Sequence, residues 1–181
     1  MFIKEVRDII KPSIKDENTI ANIRKAAEIA QDSIDLAFKL CISGVRASKV
    51  DKEVEKYIKS KNAYPANFEV PDYGFATSIS SGNEIAHGRP TNNKILVHGE
   101  PVCVDVGVKY KDCYADCART IVVEGGMGSV NHRAYKLIEA CKKSLEYGIY
   151  KLKPNVLLSE YGKAVENKVH KYGFKVIKSL T

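Results

Sequence analysis

Asp105 and Asp116 stand eleven residues apart, each inside an apolar run of the stretch PVCVDVGVKYKDCYADCARTIVV (101–123). A carboxylate in such a run costs free energy unless it is solvated, protonated or paired. The runs read as two strands joined by a tight turn. A turn centred between Tyr110 and Lys111 makes the aspartates direct cross-strand neighbours on one face, with Cβ atoms about 5 Å apart. Two carboxylates so placed repel each other. The face is open to water, one aspartate holds a proton, or divalent cations sit between them. The flanking Val102, Val104, Val106, Ala115 and Ile121 predict a largely buried ribbon, which disfavours plain solvation. One or two bridged metals would turn the repulsion into binding energy; the alternative is an aspartate pair at a sheet edge facing water.

His87, in SSGNEIAHGRP, precedes a glycine and lies three residues before Pro90, which predicts a turn near a strand end among small residues. A neutral imidazole there could hydrogen-bond a substrate carbonyl or pass a proton. His98, His132 and His170 are read as structural.

These residues need a scaffold. Three-and-four spacing of Ile20, Ile23, Ala27, Ala30, Ile34 and Phe38 predicts a helix over 17–43, stopped at Gly44. ASKVDKEVEKYIKSKNA predicts a second, with Ser48 as N-cap and Asp51 three residues on. Pro65, Pro71 and Gly74 mark 62–74 as a loop. FATSISS, KILV, PVCVDVGVKY and YADCARTIVV read as strands, and EGGMGS as a loop. A helix over 130–150 carries Tyr135, Ile138, Cys141, Leu145 and Ile149 on one side; another runs from a Ser159 cap to Tyr172, ended by Gly173; FKVIKSL reads as a last strand. Shifted by 111 residues, VRASKVDKEVEKYI lies over VLLSEYGKAVENKV, which suggests two copies of a helix–helix–strand unit.

The bulk composition narrows the class. The chain has 181 residues, 44% hydrophobic and 28% charged, which suits one soluble domain with a real core. Its net charge is +7, but the lysines are scattered among glutamates, with neither an arginine cluster nor an RNA-binding aromatic motif, so no specific nucleic-acid partner is expected. No apolar run approaches a membrane span, and MFIKEVRDII is too charged for a signal peptide or anchor. The five cysteines form an odd set without a CxxC pair, which argues against disulfides and structural zinc and for the cytoplasm.

NEIAHGRP, VDVGV and YADCART together resemble the methionine aminopeptidase family and its pita-bread metallopeptidase relatives, and GKAVENKVHKYGFKVIKSLT resembles the segment preceding that family's second metal-binding motif. The resemblance runs from about Ile20 to the end. It implies an α+β pita-bread fold, two pseudo-symmetric halves around a curved antiparallel sheet, as one catalytic domain over 1–181 with 1–19 as an N-terminal extension. Asp105 and Asp116 match the family's first two ligands to two divalent ions (Co, Mn, Fe or Zn), which generate a hydroxide nucleophile and polarise the scissile carbonyl. His87 matches the catalytic histidine beside the substrate amide, and Tyr73 and Phe75 lie where the family lines its side-chain pocket. The implied substrate is a peptide or nascent chain cleaved after its first residue, with the ribosome surface as a further candidate partner.

The sequence also departs from the pattern. Cys117 follows Asp116 where the family has a small hydroxyl residue; it either tunes the site or is an inert buried thiol. ISSGNEIAHGRPT and IRKAAEIA also resemble Xaa-Pro peptidases, which share the fold and ligands but carry an extra N-terminal domain. The family's remaining ligands, a histidine and two glutamates beginning in a Gly-His-Gly motif, are expected beyond Thr181, which leaves the second half incomplete and the ion pair incompletely ligated. A non-catalytic descendant that binds peptides or the ribosome is the alternative from a different class.

Overall fold

The apolar stripe near the start of the chain becomes helix α1, Glu17–Leu40. The computed structural model describes residues 14–128 and 131–178, so residues 1–13 of the expected N-terminal extension lie outside it. Asp16 caps α1 by accepting a 2.7 Å hydrogen bond from the Thr19 N–H. Ala26, Ile29, Ala30, Ile34 and Ala37 face inward and are at most 1% exposed. The helix stops at Leu40, short of the expected residue 43, because the Cys41 N–H closes on Ala37 and Phe38 and the chain turns through Gly44 at φ 85°. Helix α2, Ala47–Ser60, presents Val50, Val54 and Ile58 to the same core. Its N-cap is Arg46, not Ser48, whose hydroxyl instead reaches Asn92 Oδ1 at 3.2 Å.

Four strands follow among the described residues: β1 (Tyr64–Pro65), β2 (Ser78–Ser81), β3 (Pro101–Tyr110) and β4 (Cys113–Val122). All pairings are antiparallel. β3 is central, with β1 and β2 sharing one edge and β4 on the other. The expected loop over 62–74 thus contributes β1 and a 3-10 turn, Ala66–Glu69. KILV forms no strand; Ile95 makes one isolated bridge to Arg46. Val102, Val104, Val106 and Val108, on one face of β3, are fully buried with α1 and α2. The opposite face is only half-covered and bears the odd-numbered residues of β3.

A second helix pair repeats the first. Helix α3, His132–Lys151, is capped by Asn131, whose Oδ1 accepts from the Ala134 N–H at 3.0 Å. Helix α4, Leu158–Lys171, has the bounds of α2 displaced by 111 residues, which bears out the internal echo. Its N-cap is Leu157 rather than Ser159, and Gly173 at φ 81° follows its end. The apolar side expected for α3 is not the one that packs. Ala134, Ala140, Ser144 and Gly148 are buried, whereas Tyr135, Leu145 and Ile149 are 44–56% exposed. Gly148 fixes this choice, since a Cβ there would stand 2.6 Å from Val165 Cγ2 and 2.7 Å from Tyr161 Cε2 of α4. Residues 174–177 form no strand, and the end of the expected FKVIKSL strand lies outside the described residues. No described helix is long and apolar enough to cross a membrane.

Candidate active site

The hairpin places Asp105 and Asp116 on one face, as expected, but not directly opposite each other. Asp105 pairs with Ala118 and Asp116 with Gly107, so the aspartates are diagonal neighbours with Cα atoms about 7–8 Å apart. The turn is centred between Lys111 and Asp112, both at positive φ (46° and 59°), one residue later than the sequence suggests. That is the geometry of a two-residue hairpin turn that favours glycine, and no glycine marks it here. The displacement preserves the shared face because each strand shifts by one residue in opposite senses, so side-chain alternation is matched again. The ribbon is buried on one face only: Asp105 is half-buried and Asp116 exposed.

The carboxyls nevertheless lie close enough to act on each other electrostatically. Burial, followed by the charge of Asp116 and a hydrogen bond with it, pushes Asp105 up to about 6, against a smaller opposing effect of His87. Acceptor-rich oxygens forced together beside an imidazole fit a divalent cation, which would replace the repulsion with two charge-assisted bonds. Among the described residues no third His, Cys, Asp or Glu joins them as a metal-binding cluster. Cys103 shares the face two residues before Asp105, but burial raises its thiol and keeps it protonated. Cys117 packs against the core on the other face, which places it away from the aspartate pair.

His87 is held in the left-handed region, φ 57°, on an exposed loop. The adjoining Gly88 straps that loop to β2. Its N–H donates to Ser80 Oγ at 3.0 Å, and its carbonyl accepts from the Ile79 N–H at 2.8 Å. A Cβ at Gly88 would stand 2.4 Å from the Ile79 carbonyl oxygen, so only glycine allows this approach. Lys94 completes the strap, donating to the Ile79 carbonyl at 2.9 Å and to Glu84 Oε2 at 2.6 Å. Against partial desolvation, the Lys94 ammonium and the Ser81 N–H hold Glu84 below the usual carboxylate range.

Tyr73 and Phe75 pack edge to face at 5.8 Å behind this loop. The Tyr73 hydroxyl lies within reach of the Thr77 carbonyl (3.1 Å) and the Gly88 carbonyl (3.2 Å), so it braces the His87 loop from below. Two residues escaped the sequence reading. Asp51, at 6% exposure on α2, accepts from the Thr77 N–H (2.8 Å) and hydroxyl (2.7 Å) and ties α2 to the segment entering β2. β2 then pairs Ser78 with Asp105. Asn67 lies over Gly107, where a Cβ would meet its Oδ1 at 2.8 Å, directly across from Asp116. The capping-box spacing around Ser48 drew attention from the buried carboxylate, whereas nothing local marks Asn67.

The model of metallopeptidase family M24 matches residues 21–181. A methionine aminopeptidase of Haemophilus influenzae is 30% identical over 166 residues, which are 91% of this chain and 61% of that protein. The chain thus spans about three fifths of the length of that relative. The crystal structure of methionine aminopeptidase from Thermotoga maritima superposes with a TM-score of 0.86 at 29% identity, over 92% of this chain and 66% of that one. Prolidase from Pyrococcus furiosus does so with a TM-score of 0.77 at 28% identity, over 96% of this chain and 47% of that one. With a pita-bread fold and an aspartate pair set on its central hairpin, the chain belongs to metallopeptidase family M24.

Proposed function

We propose that the protein is a metal-dependent aminopeptidase that removes the N-terminal methionine of peptides and nascent chains in the cytoplasm. The observation that carries this is the diagonal placement of Asp105 and Asp116 on the open face of the sheet, within electrostatic reach of His87. Their carboxylates would hold divalent ions together with ligands outside the described residues. A divalent ion held there supplies Lewis-acid polarisation of a carbonyl and activation of water for attack. His87, on the strapped loop above β2, would hydrogen-bond the scissile amide and move a proton at an imidazole nitrogen. Tyr73 and Phe75 would border the pocket for the first side chain, with the Tyr73 hydroxyl turned to the loop carbonyls. Asp51, Thr77 and Gly88 would fix the distance between His87 and Asp105.

The likeness to Pyrococcus furiosus prolidase supports a second reading, cleavage next to proline on the same scaffold. Titration calorimetry with Mn²⁺ on the wild type and on Asp105→Asn/Asp116→Asn tests the metal site. Loss of binding in the variant is expected; undiminished binding overturns the site. Release of the first residue from Met-Ala-Ser and from Ala-Pro, measured on the metal-loaded protein, separates the readings. Methionine release supports the first, and turnover of Ala-Pro alone supports the second.

A further inference from the structure

His87 sits in a span with nothing of its own to hold it. Ile85, Ala86 and His87 are exposed, lie outside every helix and strand, and make no hydrogen bond among the described residues. Their place is therefore set by the residues on either side, Glu84 and Gly88. A Cβ at Gly88 would meet the Ile79 carbonyl oxygen at 2.4 Å and Glu84 Oε2 at 2.9 Å, so two acceptors crowd one point of the backbone. Oxygens so placed repel each other, the more so when one is a carboxylate. Lys94 Nζ bridges them, 2.9 Å from the Ile79 carbonyl and 2.6 Å from Glu84 Oε2. The Lys94 side chain is 13% exposed, so this pair is screened less than the lysine–glutamate pairs along the helices, whose lysines are 44–71% exposed. The Lys94 carbonyl in turn accepts from the N–H of Ala47, the fully buried first residue of α2, at 2.8 Å. The span that carries His87 is thereby tied to the start of α2.

We propose that Lys94 is a positioning residue for His87: by holding two mutually repelling oxygens together, its ammonium group closes residues 84–88 into a ring that fixes where the imidazole stands. The catalytic consequence rests on the peptidase reading; the ring does not. Gly88 fixes one end of the span through Ser80 Oγ and Ile79, whereas Glu84 fixes the other only while its carboxylate stays against Gly88. The Ser81 N–H also reaches Glu84 Oε2, at 3.0 Å, but it carries no full charge to offset the Ile79 carbonyl. Without the ammonium group Glu84 swings out to water, and the span is left tethered at Gly88 alone.

Nitrogen-15 relaxation of the full chain, without metal or peptide, reads the ring directly. The His87 amide should have an order parameter of about 0.85 in the wild type and below about 0.6 in Lys94→Met, while Gly88 stays ordered in both. Adding Glu84→Gln to Lys94→Met should restore His87, because glutamine is uncharged, its amide can donate to the Ile79 carbonyl and its oxygen can accept from the Ser81 N–H. Lys56→Met, which breaks the pair with Glu53 on α2, should leave His87 as in the wild type. Unshifted amide resonances in α1 and β3 show that the fold is kept, and Lys94→Gln repeats the test should the methionine variant not fold. On the metal-loaded chain, Lys94→Met should lower kcat for Met-Ala-Ser by about 10- to 100-fold with KM and Mn²⁺ affinity within about twofold of wild type, and Glu84→Gln should recover it. An ordered His87 in Lys94→Met, no recovery in the double variant, or a loss in KM rather than kcat would each overturn the proposal. Absence of turnover in the wild type would count against the peptidase reading alone, and the order parameters would still decide the ring.

Discussion

Asp51→Ala strands two donors inside the protein. The Thr77 N–H and hydroxyl reach Asp51 Oδ1 at 2.8 and 2.7 Å, and Thr77 is itself fully buried. A buried donor left without an acceptor costs about 1–3 kcal/mol, and the hydroxyl can rotate while the N–H cannot. The expected loss is therefore about 2–4 kcal/mol. Asp51→Asn keeps an oxygen at the same place and should cost no more than about 1 kcal/mol at neutral pH. The pH dependence gives an independent check. Burial, outweighing the two bonds from Thr77, raises the Asp51 carboxyl above its ordinary range. Between the ordinary and the raised value the folded chain holds a proton that the unfolded chain has released, so stability falls as pH rises. This contribution is complete below the ordinary carboxylate range and lost as pH climbs through the folded value. Asparagine has no such segment, so the difference between Asn and wild type should move in favour of Asn from pH 4 to pH 7. Urea unfolding midpoints at the two pH values measure both effects. Equal midpoints for the Ala and Asn variants, or a difference that does not change with pH, would refute the argument.

Gly88→Ala should cost about 1–3 kcal/mol through the collision of its Cβ with the Ile79 carbonyl, and faster hydrogen exchange at the Ile79 amide would report the loosened strap; unchanged protection counts against it. Ser144 is fully buried with an unpartnered hydroxyl among the described residues, whereas Ser33, its counterpart under the 111-residue shift, donates to the Ile29 carbonyl at 2.7 Å. Thermal melts of Ser144→Ala should therefore show a gain of about 1 kcal/mol, and an equal loss in Ser144→Ala and Ser33→Ala would contradict this. Lys111→Asn/Asp112→Gly should stabilise the hairpin by about 1 kcal/mol, because both residues occupy left-handed backbone; a lower melting temperature would refute the turn assignment.

How much of the site was readable depended on how local its cause was. The strand β3 was readable to the residue, because alternation of Val102, Val104, Val106 and Val108 is a property of the strand itself. The common face of Asp105 and Asp116 followed from the same two-residue period, while their diagonal offset depended on a turn without glycine. His87 was marked by its neighbours in sequence, yet the reason it stands where it does is a strap from β2, Lys94 and Tyr73.

The sequence by itself determined the helices and the repeat of 111 residues, the aspartate-bearing hairpin and, through NEIAHGRP, VDVGV and YADCART, the family, since each is written in spacing along one stretch of chain. Only the tertiary structure decided which face of α3 packs, that Asp51 anchors β2, and that Cys117 turns away from the site. The reason is physical. Period and propensity act between neighbours in the chain, whereas burial, charge repulsion and close approach at residues such as Gly88 and Gly148 exist only once distant segments meet.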